Sequence, residues 1–131
     1  VVEKDWMDNS LFVLGVPTWY DGVLQSDWED YFEDFKEVNF TGKTVAIFGL
    51  GDQIGYDEYF VDGIGILAEV VLENGGKIIG NWPRENYSFA ESKALKNKYY
   101  FYGLPIDQDN EEELTLKRLE TWVKQLKNEI E

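Results

Sequence analysis

Apolar positions fall along this chain in two rhythms, short unbroken runs and stripes that recur every third or fourth residue. Leu11 to Val16, LFVLGV, is an unbroken run of the kind that forms a strand buried on both faces of a parallel sheet, and Pro17 is expected to end it. After a loop at Thr18 to Gly22, Ser26 and Glu29 have the spacing of a capping box. Trp28, Tyr31, Phe32 and Phe35 then lie on one side of an amphipathic helix of roughly three turns. A turn at Asn39 to Lys43 leads into a second buried strand, Thr44 to Phe48. Phe60, Ile64, Leu67 and Val71 mark the inner face of a second helix, which Gly75 and Gly76 stop, and Lys77 to Trp82, KIIGNW, reads as a third strand.

The rhythm then breaks. Residues 83–98 are polar and irregular apart from a possible helical turn near Ala90 to Leu95, so they read as an insertion. Tyr99 to Ile106, YYFYGLPI, resumes strand character, which implies that the last strand is split in two by the excursion. Asp107 to Glu113 is acidic, and Asn110 or Thr115 is expected to cap a final helix whose inner face is Leu116, Leu119, Val123, Leu126 and Ile130, with Trp122 on the same flank. At the other end, Val1 to Ser10 is polar around a lone Trp6 and reads as a loop or a frayed helix end. Alternating strands and helices imply an α/β class, an open parallel sheet with right-handed crossovers and helices on both faces. Pro17, Pro83 and Pro105 all stand near ends of strand-like runs, which gathers the loops at one edge.

An open α/β sheet binds its ligand in the crevice beyond the carboxyl ends of its strands. Two loops there, Val16 to Gly22 (VPTWYDG) and Phe48 to Phe60 (FGLGDQIGYDEYF), each combine glycine with an aromatic residue that no core periodicity requires, Trp19 and Tyr56. Singly, either ring reads equally well as a half-buried cover for the sheet edge. Together, beside Gly22, Gly51 and Gly55, they suit a flat heterocycle held between two walls and approached closely by backbone.

Composition narrows the chemistry. A length of 131 residues suits one domain with one core. Twenty-six acidic residues against 12 basic ones give a net charge of −14, which argues against nucleic acid or an anionic membrane surface as partner and favours a basic protein. Cysteine and histidine are both absent, so disulfides, thiol nucleophiles, catalytic triads and typical zinc sites drop out, a bound cofactor becomes the economical source of chemistry, and a reducing cytoplasm fits. Gly49, Gly51 and Gly55 have a spacing one residue away from the dinucleotide fingerprint, and Asp52 inside the loop would repel a pyrophosphate. Asp107, Asp109, Glu111, Glu112 and Glu113 lack the glycine of a calcium loop and read instead as a solvated helix start. Asp30, Glu33 and Asp34 read as a solvated helix face, which can also dock a basic partner.

The motifs Pro17-Thr18-Trp19-Tyr20-Asp21-Gly22, Leu24-Gln25-Ser26-Asp27-Trp28, Gly51-Asp52-Gln53-Ile54-Gly55-Tyr56 and Tyr102-Gly103-Leu104-Pro105-Ile106-Asp107 together resemble flavodoxin, in particular the long-chain kind whose last strand is interrupted. The resemblance covers nearly the whole chain and implies a flavodoxin-like sheet, non-covalently bound FMN, and a soluble one-electron carrier between basic redox proteins such as a flavodoxin reductase and an electron acceptor. It implies that Trp19 and Tyr56 sandwich the flavin ring and that the backbone of Tyr20, Asp21 and Gly22 faces one ring edge, where a peptide can turn to meet the half-reduced form. Asp52 and its neighbours would face the pyrimidine edge, and Asp109 would lie near the ribityl chain. Thr18, Leu50, Gly51, Tyr59 and Phe60 complete the implied cofactor-binding set. Tyr20 stands where asparagine is common in long-chain members.

The chain enters the family pattern just before its third strand, without the T-x-T-G-x-T loop that wraps the flavin phosphate. It is therefore expected to be the carboxyl-terminal two thirds of a flavodoxin, with Leu11 to Val16 as an uncovered edge: a monomer if the fold is complete, able to associate through that strand if it is not. Two rival readings are a non-redox acidic interaction module that binds no flavin, and an FMN-dependent oxidoreductase, for whose substrate the short loops leave little room.

Overall fold

The computed structural model of the chain describes residues 10–19, 23, 24, 26–55 and 59–130, with side chains at 10–16, 31–55 and 59–130. Its central ladder joins β1 (Leu11–Trp19) to β3 (Thr44–Leu50) in parallel, from Leu11 opposite Thr44 to Pro17 opposite Leu50. Along the other side of β3 two short strands lie end to end. β4 (Lys77–Ile79) pairs with Thr44 to Ala46, and β7 (Leu104–Ile106) pairs with Phe48 to Leu50. Between them in sequence, β5 (Trp82–Pro83) and β6 (Tyr100–Phe101) form a separate antiparallel pair. The last two residues of β1 also pair antiparallel with β2 (Val23–Leu24).

β1 runs on through Pro17 to Trp19. At the level of Pro17 a described strand flanks β1 on one side alone, a setting in which a missing N–H is tolerated. β4 stops early because Gly80 takes a left-handed φ of 79°, and a Cβ there would lie 2.7 Å from Trp122 Nε1. The Trp122 indole fills that space and donates to the Gly80 carbonyl at 2.8 Å. No helical turn forms at 90–95. That stretch folds as bends, with Leu95 bridging to Phe101 and the Tyr102 N–H donating to the Ala94 carbonyl at 2.8 Å.

Three helices accompany the strands among the described residues: α1 (Ser26–Phe35), α2 (Asp62–Glu73) and α3 (Gln108–Ile130). One face of the sheet, with Leu14, Val16, Val45 and Ile47, packs against Ile64, Leu67 and Val71 of α2 and against Phe35, Phe40 and Phe101. The other face buries Ala46, Ile79, Leu104 and Ile106 beneath Trp122 and Leu126 of α3. α3 lies over β3, β4 and β7, so among the described residues the second face of β1 is covered only in part, by the Phe48 ring over Gly15, where its unbroken apolar run implied cover on both faces. Val13 is 53% exposed and Leu11 is exposed beside it. The stripe on α3 is covered in part, as expected where the first two strands and first helix of the family pattern are not in the chain: Leu126 and Trp122 are buried while Leu116, Val123 and Ile130 are exposed.

Candidate functional site

The registers bring the ends of β3 and β7 to one level, with β1 running two residues further to Trp19. Pro17 lies opposite Leu50 and Leu50 opposite Ile106, and the Gly51 N–H donates to the Ile106 carbonyl at 3.0 Å. The glycine loop that follows β3 and the acidic start of α3 that follows β7 therefore leave the sheet side by side at its carboxyl edge, the edge at which β1 ends with Trp19.

The glycine loop is built around Asp52, whose Oδ1 accepts from the Ile54 N–H at 3.0 Å and the Gly55 N–H at 2.7 Å, a side-chain turn that mimics a backbone one. Glycine at 55 lets the Asp52 carboxylate approach closely, since a Cβ would stand 2.5 Å from Asp52 Oδ2 and the carboxylate would have to shift. The Gly55 N–H, with smaller help from the Asn110 amide and the Ile54 N–H and against slight burial, holds the Asp52 carboxyl below the ordinary carboxylate range.

Next to it Gln53 is buried, 7% exposed, and every polar atom of its side chain has a partner. Nε2 donates to Asp107 Oδ2 at 2.8 Å and to Glu111 Oε1 at 2.5 Å, while Oε1 accepts from the Ser88 N–H at 2.7 Å. Asp107, 1% exposed, also accepts from the Gln53 N–H at 3.0 Å and from the Asn110 N–H and side-chain amide. It thus caps α3, the role expected of Asn110 or Thr115. Asn110 instead bridges, donating to Asp107 and to Asp52 Oδ1 at 2.7 Å. Glu111 sits in a kink (φ −134°, ψ 42°) and pairs with Arg118 at 3.0 Å. The Arg118 guanidinium lies 4.4 Å from the centre of the Tyr87 ring. The Tyr87 hydroxyl, pushed upward in pKa chiefly by burial, donates to the Pro105 carbonyl at 2.7 Å. A cleft of about 700 Å³ opens beside the loop, with Gln53 and Ile54, Ser88 and Phe89, and Asn110 and Glu111 on its walls.

Of the residues expected to hold a cofactor, Thr18 and Trp19 have their backbone at the end of β1, opposite Leu24 and Val23. Tyr20, Asp21, Gly22 and Tyr56 lie outside the described residues. Leu50, Gly51 and Asp52 are at the sheet edge, and Asp109 is exposed in the first turn of α3. Tyr59 is half-buried beside a smaller cleft of about 430 Å³ lined also by Ser92 and Lys93. Phe60 needs a correction: its ring is fully buried against Tyr87, Phe89 and Phe101 and offers no surface to a ligand. The apolar stripe that starts at Phe60 was the signal for this, since a residue one turn before Ile64 shares its inward face. Gln53, Asp107 and Arg118 were missed as organisers, because their partners are far away in sequence.

Comparison with known proteins gives a consistent result. The flavodoxin family profile matches residues 2–122. The chain is 48% identical over 124 residues to the flavodoxin of Buchnera aphidicola, covering 95% of this chain and 72% of that protein. It is 46% identical over 128 residues to flavodoxin 1 of Escherichia coli K12, covering 98% and 73%. The crystal structure of Fusobacterium nucleatum flavodoxin bound to flavin mononucleotide superposes with a TM-score of 0.90 at 32% identity, covering 96% of this chain and 75% of that one. No helix among the described residues is long and apolar enough to cross a membrane. With the sheet and the matching sequences in agreement, the chain belongs to the flavodoxin family.

Proposed function

We propose that this chain is a one-electron carrier that holds FMN non-covalently between its tryptophan and glycine loops and exchanges electrons with basic redox proteins in the cytoplasm, acting as one flavodoxin domain with 83–98 as an excursion. The observation that carries this reading is the register that sets Pro17 opposite Leu50, which brings the Thr18–Trp19 end of β1 to the same sheet edge as the glycine loop that follows β3.

The residues present suit the flavin ring, while the T-x-T-G-x-T loop that wraps the phosphate in the family is not among them. Stacking both faces of a ring needs walls roughly 7–8 Å apart, two contacts of about 3.5–4 Å. Neighbouring strands stand about 4.8 Å apart, so loops that splay by a few ångströms past the edge provide the gap. Trp19 and Tyr56 would form the walls. The turn held by Asp52 would set the 51–55 segment against a ring edge, and Asp109 stands on the neighbouring helix start. FMN, when bound, supplies a ring that accepts and returns single electrons. The chain's own contribution is to position that ring, exclude water from its faces and set the charge around it. Exposed Glu33, Asp34, Asp109, Glu112 and Glu113 give the surface the sign that attracts a basic partner such as a reductase.

Titration of the purified chain with FMN, followed by quenching of flavin fluorescence, tests the site. Aromatic stacking is worth about 0.5–1.5 kcal/mol beyond burial, so Trp19→Ala and Tyr56→Ala should each weaken binding roughly two- to tenfold or more. Wild-type affinity in both variants, or no binding by the unaltered chain, would refute the reading.

A further inference from the structure

We infer that Gln53 and Asp107 are positioning residues that latch the glycine loop into its ligand-ready shape, and that the 83–98 excursion serves as the latch's third leg through the Ser88 N–H. The inference rests on the FMN reading for its functional consequence, but the latch itself stands on the hydrogen bonds around Gln53.

Three segments remote in sequence meet at this one amide. Its NH₂ group faces two carboxylates, Asp107 and Glu111, and its oxygen faces a backbone N–H, that of Ser88. A flipped amide would set its oxygen against both carboxylates and its NH₂ against a donor, so the orientation admits a single choice. Asp107 collects the Gln53 N–H, the Gln53 amide, the Asn110 N–H and the Asn110 amide, so its buried charge is satisfied entirely by donors from the loop and from α3. Asn110 closes the circuit by donating also to Asp52 Oδ1, the oxygen that shapes the 52–55 turn. The loop's conformation is thus set from behind, by groups turned toward the protein. The excursion is fastened into the same circuit, since Arg118 joins Glu111 to the Tyr87 ring and Tyr87 donates to Pro105. A half-satisfied buried network is costly, so removing one member should loosen all three segments together.

The experiment compares the unaltered chain with Gln53→Met, which keeps the volume and removes every side-chain bond, and with exposed Asn110→Asp, which puts a third carboxylate beside Asp52 and Asp107. FMN affinity, the visible circular dichroism of the bound flavin, and amide exchange at Gly55 and Ser88 are measured for each. The latch predicts at least a tenfold loss of affinity and an altered flavin dichroism in both variants, with faster exchange at Gly55 in both and at Ser88 in Gln53→Met. Unchanged affinity and dichroism in variants of a flavin-binding wild type would overturn the positioning role. If the unaltered chain binds no FMN, the functional reading falls, yet unchanged exchange at Gly55 would still overturn the latch and faster exchange would uphold it. Should Gln53→Met fail to fold, Asn110→Asp decides alone.

Discussion

Gly65 lies inside α2 with the excursion pressed directly onto it, and its replacement by alanine sets two effects of opposite sign against each other. A Cβ at this position would stand 2.1 Å from the Lys93 carbonyl oxygen and 2.9 Å from the Ala94 nitrogen. Alanine is the better helix former by about 0.8–1.0 kcal/mol, which alone would stabilise the protein. An ordinary contact needs about 3.4 Å or more, so the 93–94 backbone would have to withdraw by more than 1 Å. That backbone is pinned: the Lys93 N–H donates to buried Asp62 at 2.8 Å, the Ala94 N–H to Ser92 Oγ at 3.0 Å, and the Ala94 carbonyl accepts from Tyr102 at 2.8 Å. Losing a hydrogen bond to a charged carboxylate costs about 1.5–3 kcal/mol, and overpacking a filled site about 1–3 kcal/mol. The clash therefore outweighs the propensity gain, and Gly65→Ala should destabilise the fold by about 2 kcal/mol or more. Urea unfolding should show the midpoint falling by about 1 M with an unchanged slope, and amide exchange at Lys93 should quicken. A variant as stable as the wild type, or more stable, would refute the placement of the excursion on α2.

Further outcomes are expected at Asp62, at Asp52 and at the acidic surface. Burial pushes the Asp62 carboxyl above its ordinary value of 3.8, with the Lys93 N–H opposing, so Asp62 favours its protonated form on folding. Its contribution to stability is greatest below that value and declines as pH rises through the raised one; Asp62→Asn, which keeps an acceptor for Lys93, should flatten this decline in denaturation curves taken from about pH 3.5 to 7, and an equal decline in both proteins would count against it. Asp52 has the opposite sign, contributing stability that is lost as pH falls through its lowered value. Electron exchange with a basic redox partner should slow steeply as ionic strength rises past about 0.1 M, where the screening length is about 10 Å, and a rate that stays flat would exclude long-range attraction by the −14 surface.

What the sequence by itself determined was local. The alternation of strands and helices, the parallel α/β class, the arrest of α2 at Gly75 and Gly76, and the glycine-bearing loop that follows β3 all follow from periodicity and turn chemistry within a dozen residues. The family motifs are likewise contiguous, which is why they could be read without coordinates. The tertiary structure decided everything that depends on partners far apart in the chain. It set which face of β1 is covered, because that depends on where α3 lies, and it enclosed the Phe60 ring in the core. It carried β1 past Pro17, a matter of which side of the strand has a neighbour. It also gave the helix cap to Asp107, whose competitor Asn110 has equal local credentials but a second acceptor in Asp52, 58 positions away. Gln53 shows the limit most clearly. Its neighbours in sequence say only that it sits in a turn, whereas its role comes from Asp107, 54 positions later, and from Ser88, 35 positions later. A buried amide acquires a function only when donors and acceptors converge on it, and that convergence is a property of the folded chain alone.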